Sequence, residues 1–302
     1  MKYQQLGRSS LRVSSLAYGM WRFGGTSLPI AQKKVETALS LGITLFDQAD
    51  VYVVDGGGAF GDSETLLGAV LKASPHLRDQ MIIATKGGIV LGTPYDSSTH
   101  YIRSAVEASL RRMNIDCIDL YQIHRPDVLT HPQELATVLT SLRIEGKIKE
   151  VGVSNYSPSQ FEALQAHLSF PIATHQPQFS CWHLDPLQNG LFDQCQQYNV
   201  TPLAWSPMAG GHLGLSIDDA RHKGDVRLVQ LLSTLDRIAE DQHLSRGAVA
   251  LAWLLYHPSQ IIPILGTQNL ERLVESVHAF SVRLDRQTWY EILVASQGFP
   301  LP

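Results

Sequence analysis

Residues 117–124 read Cys117-Ile-Asp-Leu-Tyr-Gln-Ile-His124, and residues 150–155 read Glu150-Val-Gly-Val-Ser-Asn155. Both are short, β-rich apolar runs that close on a polar residue. Between them Leu135, Val138, Leu139 and Leu142 recur every three or four residues, so the intervening segment has one buriable helical face. Thr130 with Gln133 has capping-box spacing ahead of that helix, and Gly146 follows its end. Strand, helix, strand in this order is the parallel crossover unit, since parallel neighbours need a connection long enough to hold a helix.

The unit repeats along the chain. Eight strands are predicted, at Leu16–Met20, Ile43–Asp47, Met81–Lys86, Cys117–His124, Glu150–Asn155, Ile172–Gln176, Val200–Ser206 and Ile261–Gly266. Ile102, Val106, Leu110 and Met113 mark a helix between the third and fourth; Ser157, Pro158 and Gln160 mark a helix start after the fifth. Further helices fit residues 30–41, 63–72, 187–198, 226–242, 245–256 and 269–279. This is an α/β chain whose expected fold is a closed (β/α)8 TIM barrel, one domain over residues 1–302. Tyr3–Leu6 and Leu11–Ser14, around Gly7-Arg8-Ser9-Ser10, predict a hairpin that closes the bottom of the barrel. Residues 53–61 and 208–225 read as irregular loops on the strand-exit side, where barrels build their sites.

Composition narrows the function. With 44% apolar and 17% charged residues the chain can bury a large core. Its net charge of −4 offers no global positive field, which argues against nucleic acid as a partner. No apolar run approaches the roughly 20 residues that cross a bilayer, and the amino terminus lacks a secretory pattern, so a cytoplasmic protein is expected. Cys117, Cys181 and Cys195 lack metal or redox spacing, as do His167, His175, His183 and His212; no metal is expected. Gly56, Gly58 and Gly61 satisfy G-x-G-x-x-G, but they follow the second strand and lack a suitably placed acid at the next strand end, so they are not read as a Rossmann fingerprint.

The strand ends carry the chemistry. Asp47, Lys86, His124, Asn155, Gln176 and Ser206 close six apolar strands, and a barrel gathers those ends around one mouth. Tyr52 follows Asp47 by five residues. A phenol with an ordinary pKa of about 10 needs a cation beside it to exchange protons near neutrality. Lys86 could supply the cation, Asp47 could hold the lysine, and a neutral His124 could donate to a substrate oxygen. Such a group protonates a carbonyl oxygen as hydride reaches its carbon. Each residue also has a plainer reading: a loop aromatic for Tyr52, a structural ion pair for Lys86 and Asp47, a hydrogen bonder for His124. Asp50 reads as a loop cap.

The chain resembles an aldo-keto reductase from end to end. The resemblance rests on Leu6-Gly-Arg-Ser-Ser-Leu-Arg-Val-Ser14, Phe46-Asp-Gln-Ala-Asp-Val-Tyr52, Ser63-Glu-Thr-Leu-Leu-Gly68, Thr85-Lys86, Asp119-Leu-Tyr-Gln-Ile-His-Arg-Pro-Asp127, Gly152-Val-Ser-Asn155, Trp205-Ser-Pro-Met-Ala-Gly-Gly211 and Pro263-Ile-Leu-Gly-Thr267. It is similar to a bacterial subgroup of broadly reactive or uncharacterised NADPH-dependent oxidoreductases. The resemblance implies an NADP(H)-linked barrel in which Tyr52 is the general acid, Lys86 and Asp47 tune it, and His124 orients the carbonyl. It places nicotinamide contacts on Ser154, Asn155 and Gln176, a stacking aromatic on Trp205 followed by Ser206, and a substrate-pocket aromatic on Trp21. The adenine end falls on Gly266, Thr267, Arg272, Glu275 and Ser276, where many relatives have a lysine at the position of Gly266 and an asparagine at that of Ser276. The loop after Tyr52 is also longer than is common among relatives.

Taken together these imply a monomeric reductase of small aldehydes and ketones that uses NADPH/NADP+. Two other readings stay open. The barrel could be an NADPH-binding sensor or regulatory subunit, or Lys86 could be a Schiff-base nucleophile, against which the neighbouring Asp47 argues.

Overall fold

The computed structural model describes residues 1–301. Its strands, in chain order, are β1 (Tyr3–Gln5), β2 (Arg12–Ser14), β3 (Ala17–Gly19), β4 (Leu45–Asp47), β5 (Ile82–Gly87), β6 (Ile89–Val90), β7 (Thr93–Tyr95), β8 (Ile118–Ile123), β9 (Ile148–Ser154), β10 (Thr174–Gln176), β11 (Thr201–Ala204) and β12 (Ile262–Leu265). Eight of them close in the order β3-β4-β5-β8-β9-β10-β11-β12 and back to β3, every neighbour parallel. Around them run α1 (Leu28–Ser40), α2 (Asp62–Ala73), α3 (Thr99–Met113), α4 (Pro132–Ile144), α5 (Pro158–Gln165), α6 (Leu191–Tyr198), α7 (Ile217–His222), α8 (Val226–Asp241), α9 (Arg246–Leu255), α10 (Leu270–Ser276) and α11 (Arg286–Gln297). The expected (β/α)8 barrel is the observed fold.

Strand alternation separates two cores. Leu45, Ala84, Leu120, Leu203 and Ile262 face the barrel axis together with Leu6 and Val13 of the hairpin. Tyr18, Phe46, Ile83, Tyr121 and Val151 pack with the buried helix faces instead, including Leu135, Val138, Leu139 and Leu142 of α4. The β1–β2 hairpin plugs the barrel bottom as expected. At its turn the Gly7 amide donates to Thr201 Oγ1 at 2.7 Å. Gly7 has φ +57°, and a Cβ there would lie 2.4 Å from the Ala173 carbonyl oxygen, so no side chain fits.

Local signals hold in part. Ser157 and Gln160 form the expected capping box on α5. On α4, however, the cap is His131, whose Nδ1 accepts from Gln133 N at 3.1 Å, while Thr130 Oγ1 donates to Asp127. The region 208–225 is not simply a loop: a short 3-10 segment, Ala209–Gly214, and α7 occupy most of it. The β6–β7 hairpin after β5 and the helix α11 are additional elements. Five of the eight barrel strands, β3, β8, β9, β11 and β12, also end one or two residues earlier than the apolar runs suggest. Asn155 and Ser206 adopt φ +59° and +52°, turning the chain out of the ladder where their polar side chains are presented.

Candidate active site

The barrel mouth assembles the expected residues. β4 ends at Asp47, β5 carries Lys86, and His124 directly follows β8. The turn after β4 delivers Tyr52, pinned because Asp50 N donates to the Lys86 carbonyl and Gly61 N to the Asp50 carbonyl. Lys86 Nζ donates to Asp47 Oδ2 at 2.8 Å, to the Gln48 carbonyl at 2.8 Å and to the Tyr52 hydroxyl at 2.7 Å. The Tyr52 hydroxyl in turn donates to Asp47 Oδ2 at 3.1 Å. Trp21 stands over Tyr52 with ring centroids 5.2 Å apart, and His124 flanks it at 5.9 Å. Trp21 is 44% exposed and forms the rim.

Electrostatics set the protonation states. Burial, then the charge of Asp47 and its hydrogen bond, pushes the Tyr52 phenol well above its ordinary value. The direction is opposite to a simple lowering by Lys86, and it keeps the phenol protonated. Burial also pulls the Lys86 ammonium down, against the opposing pull of Asp47. Its three N–H groups nevertheless each meet an acceptor, and the side chain is fully enclosed. That geometry leaves no approach for a carbonyl carbon to Nζ and disfavours the Schiff-base reading. Burial, followed by the charges of Lys86 and Arg125, holds the His124 imidazole well below its usual range. His124 is therefore neutral with one N–H. Its Nδ1 is buried without a partner among the described residues, so Nε2 is the nitrogen able to serve the mouth.

The remaining strand ends interlock. Asn155 Nδ2 donates to Ser154 Oγ at 2.8 Å and to the His124 carbonyl at 3.2 Å, while its Oδ1 accepts from Trp205 Nε1 at 2.9 Å. Ser154 Oγ donates to the Gln176 carbonyl at 2.9 Å. Gln176 Nε2 points to Asp47 Oδ1 at 2.8 Å. Ser206 follows Trp205 at the same mouth.

The other group of expected residues lies after β12. Gly266 has no atom within 4 Å of where its Cβ would be, Asn269 caps α10 by accepting from Arg272 N at 3.0 Å, and Arg272 and Glu275 are exposed. Ser276 Oγ donates to the Arg272 carbonyl at 2.7 Å, and Thr267 Oγ1 accepts from Asn269 N at 3.2 Å.

Two positions depart from the sequence reading. Asp50, expected as a loop cap, is fully buried, and among the described residues neither carboxylate oxygen has a well-formed hydrogen bond. Burial, then the nearby Glu64 charge, drives its carboxyl far above the usual range. Gln122 carries no motif of its own, yet it sits inside the barrel with Nε2 toward Asp47 Oδ1 at 3.4 Å. Its signal is strand parity, two residues before His124 on the inward face of β8.

Comparison with known proteins defines the class. Residues 15–295 match the aldo/keto reductase family, and the chain belongs to that family. A 6-dehydroglucose reductase of Novosphingobium aromaticivorans is 45% identical over 302 residues, covering 99% of this chain and 97% of the relative. A second 6-dehydroglucose reductase, from Agrobacterium fabrum, is 41% identical over 95% of this chain and 96% of its own. A crystal structure of a thermostable aldo-keto reductase, solved with the inhibitor epalrestat, superposes with a TM-score of 0.81 at 25% identity, over 98% of this chain and 100% of that one. The protein is an oxidoreductase of carbonyl compounds.

Proposed function

We propose that this protein is an NADPH-dependent reductase of small aldehydes and ketones, acting reversibly, with Tyr52 as general acid and base. The observation that carries this reading is the closed triangle of Tyr52 hydroxyl, Lys86 Nζ and Asp47 Oδ2 beside a neutral His124. NADPH, when bound, supplies the hydride.

The chain's own residues do the rest. A carbonyl oxygen held between the Tyr52 hydroxyl and His124 Nε2–H receives two donors, which favours the negative charge that develops there. Tyr52 gives its proton to that oxygen, and the resulting phenolate is left 2.7 Å from the Lys86 ammonium, which stabilises it. Trp21 stands at the rim against the Tyr52 ring, where a bound carbonyl compound would meet it. The polar group Ser154, Asn155 and Gln176, with Trp205 and Ser206, suits an amide-bearing ring by its donors and acceptors. Arg272, exposed on α10 with no carboxylate in ion-pair range among the described residues, suits a phosphate. These residues fit NADPH as the cofactor.

Two relatives that align with nearly the whole chain carry the name 6-dehydroglucose reductase, so 6-dehydroglucose, an aldehyde-bearing sugar, is the first substrate to test. The experiment follows NADPH absorbance with 6-dehydroglucose and with para-nitrobenzaldehyde, for wild type and Tyr52→Phe. Turnover should fall by about 10²- to 10⁴-fold in the variant, while NADPH affinity stays within a few-fold. Bound cofactor that neither aldehyde consumes would favour a sensor instead.

A further inference from the structure

The barrel interior just below the mouth holds a polar layer with one gap in it. Strand register pairs Lys86 with Gln122, Gln122 with Gly152, and Gly152 with Thr174. Side chains in such a layer normally fill it. Here the β9 position is glycine, and a Cβ on Gly152 would lie 2.0 Å from Thr174 Oγ1 and 2.9 Å from Gln122 Cγ. The space that Gly152 leaves lets Gln122 and Thr174 meet across β9: Thr174 Oγ1 donates to Gln122 Oε1 at 3.1 Å. The same Oε1 faces Gln176 Nε2 at 3.5 Å. Both amides turn their nitrogens to Asp47 Oδ1, Gln176 at 2.8 Å and Gln122 at 3.4 Å. The orientation of the amides is forced, because a carboxylate only accepts.

Asp47 is thus held from two sides. Oδ2 takes the Lys86 and Tyr52 protons, and Oδ1 takes the two amides. All four side chains besides Tyr52 are at most 2% exposed, so no water replaces a lost donor. We infer that Gln122 is a positioning residue of the reaction centre: braced by Thr174 in the room left by Gly152, it orients the Gln176 amide and fixes the edge of Asp47 that faces Lys86 and Tyr52. Among the described residues Gln122 has no hydrogen bond to Tyr52 or Lys86, and it acts through Asp47. The inference rests on the reductase reading for its kinetic consequence, and on geometry alone for its structural one.

The test uses the full chain carrying Gln122→Met, which keeps the length of the side chain and removes its amide. Reduction of the aldehyde that wild type turns over should lose about tenfold to a hundredfold in kcat, the equivalent of one hydrogen bond to a charged group. KM, and NADPH affinity read by quenching of tryptophan fluorescence, should stay within a few-fold. A crystal structure of the variant should show the Gln176 amide and the Asp47 carboxylate rotated from their wild-type positions. A lower melting temperature with kcat unchanged would make Gln122 purely structural and overturn the inference. If wild type itself reduces no aldehyde, the reductase reading fails separately. The crystal structures then decide: an Asp47 carboxylate and Gln176 amide unmoved in Gln122→Met overturn the inference, and a rotated pair upholds its structural part. Should Gln122→Met not fold, Thr174→Val removes the brace with little change of shape, and the same two readouts apply in the same directions.

Discussion

The Lys86 ammonium lies 2.7 Å from the Tyr52 hydroxyl and pairs with the Asp47 carboxylate 2.8 Å away, in a space closed to solvent. A lysine so enclosed is stable only while its countercharge is present, and the reverse holds for Asp47. Lys86→Met should therefore destabilise the fold by about 3–5 kcal/mol, since it leaves a buried carboxylate without its cation. Adding Asp47→Asn to that variant should recover part of the loss, because the neutral pair no longer carries an unpaired charge. Urea unfolding of the two single variants and the double variant measures this directly. Additive losses would mean that the pair is not coupled.

Asp50 gives a pH dependence of the opposite kind to an ordinary salt-bridged acid. Its folded carboxyl is raised by burial, with the Glu64 carboxylate of α2 adding to the rise and Arg112 of α3 and Lys86 of β5 opposing it; Tyr121 of β8 also lies near. A group whose folded value is raised contributes stability that is complete below its unfolded value, near 3.9, and declines as pH rises toward the folded one. Asn has the shape of the protonated acid and cannot ionise. Asp50→Asn should fold at least as well as wild type at neutral pH and lose less stability on the alkaline side. Melting temperatures from pH 5 to 9 check it, and a variant much weaker at every pH would show that Asp50 acts as an anion.

His175 contributes to the acid limb. Its Nε2 donates to the Tyr156 carbonyl at 3.0 Å, its ring stacks on Phe161 with centroids 5.8 Å apart, and its Nδ1 has no partner among the described residues. Burial pulls its pKa down to about 4. The unfolded chain then binds the extra proton first, so stability is complete above about pH 6.5 and falls as pH drops toward 4, by up to about 3 kcal/mol from this residue. His175→Gln should flatten that decline by about one proton's worth of slope, read from unfolding free energies between pH 4 and 7.

How far these sites were legible depends on what each residue's surroundings require. Asp47, Lys86 and His124 announce themselves because a charged or polar residue closing an apolar strand needs a reason, and the barrel supplies a common place for them. Gln122 and Gly152 lie inside strands, where an amide and a glycine look like interruptions of a pattern; only the register that sets Gln122, Gly152 and Thr174 side by side gives them a purpose. Asp50 has cap-like spacing, and its burial comes from α2 and α3 closing over the turn, which no local signal contains. The cap at His131 was hidden for a similar reason, since Asp127 takes the Thr130 hydroxyl at 2.7 Å and leaves the neighbouring imidazole to accept from α4.

The cofactor preference turns on few groups. Arg272 is exposed on α10 and makes no ion pair among the described residues, while Glu271 and Glu275 on the same helix carry the opposite charge. Ser276 has its hydroxyl committed to the Arg272 carbonyl at 2.7 Å, and Gly266 brings no side chain at all. A phosphate on the ribose would thus depend on Arg272 for its only full positive charge among the five residues expected at the adenine end. Arg272→Ala should weaken NADPH binding by about tenfold or more, the worth of one charge-assisted hydrogen bond, and leave NADH binding within about twofold, because NADH has no phosphate there. The NADPH affinity of wild type should also fall with added salt more steeply than that of the variant, as an exposed charge pair is screened. Fluorescence titration with both cofactors at two salt concentrations measures all of these, and equal losses for NADPH and NADH would place the phosphate elsewhere.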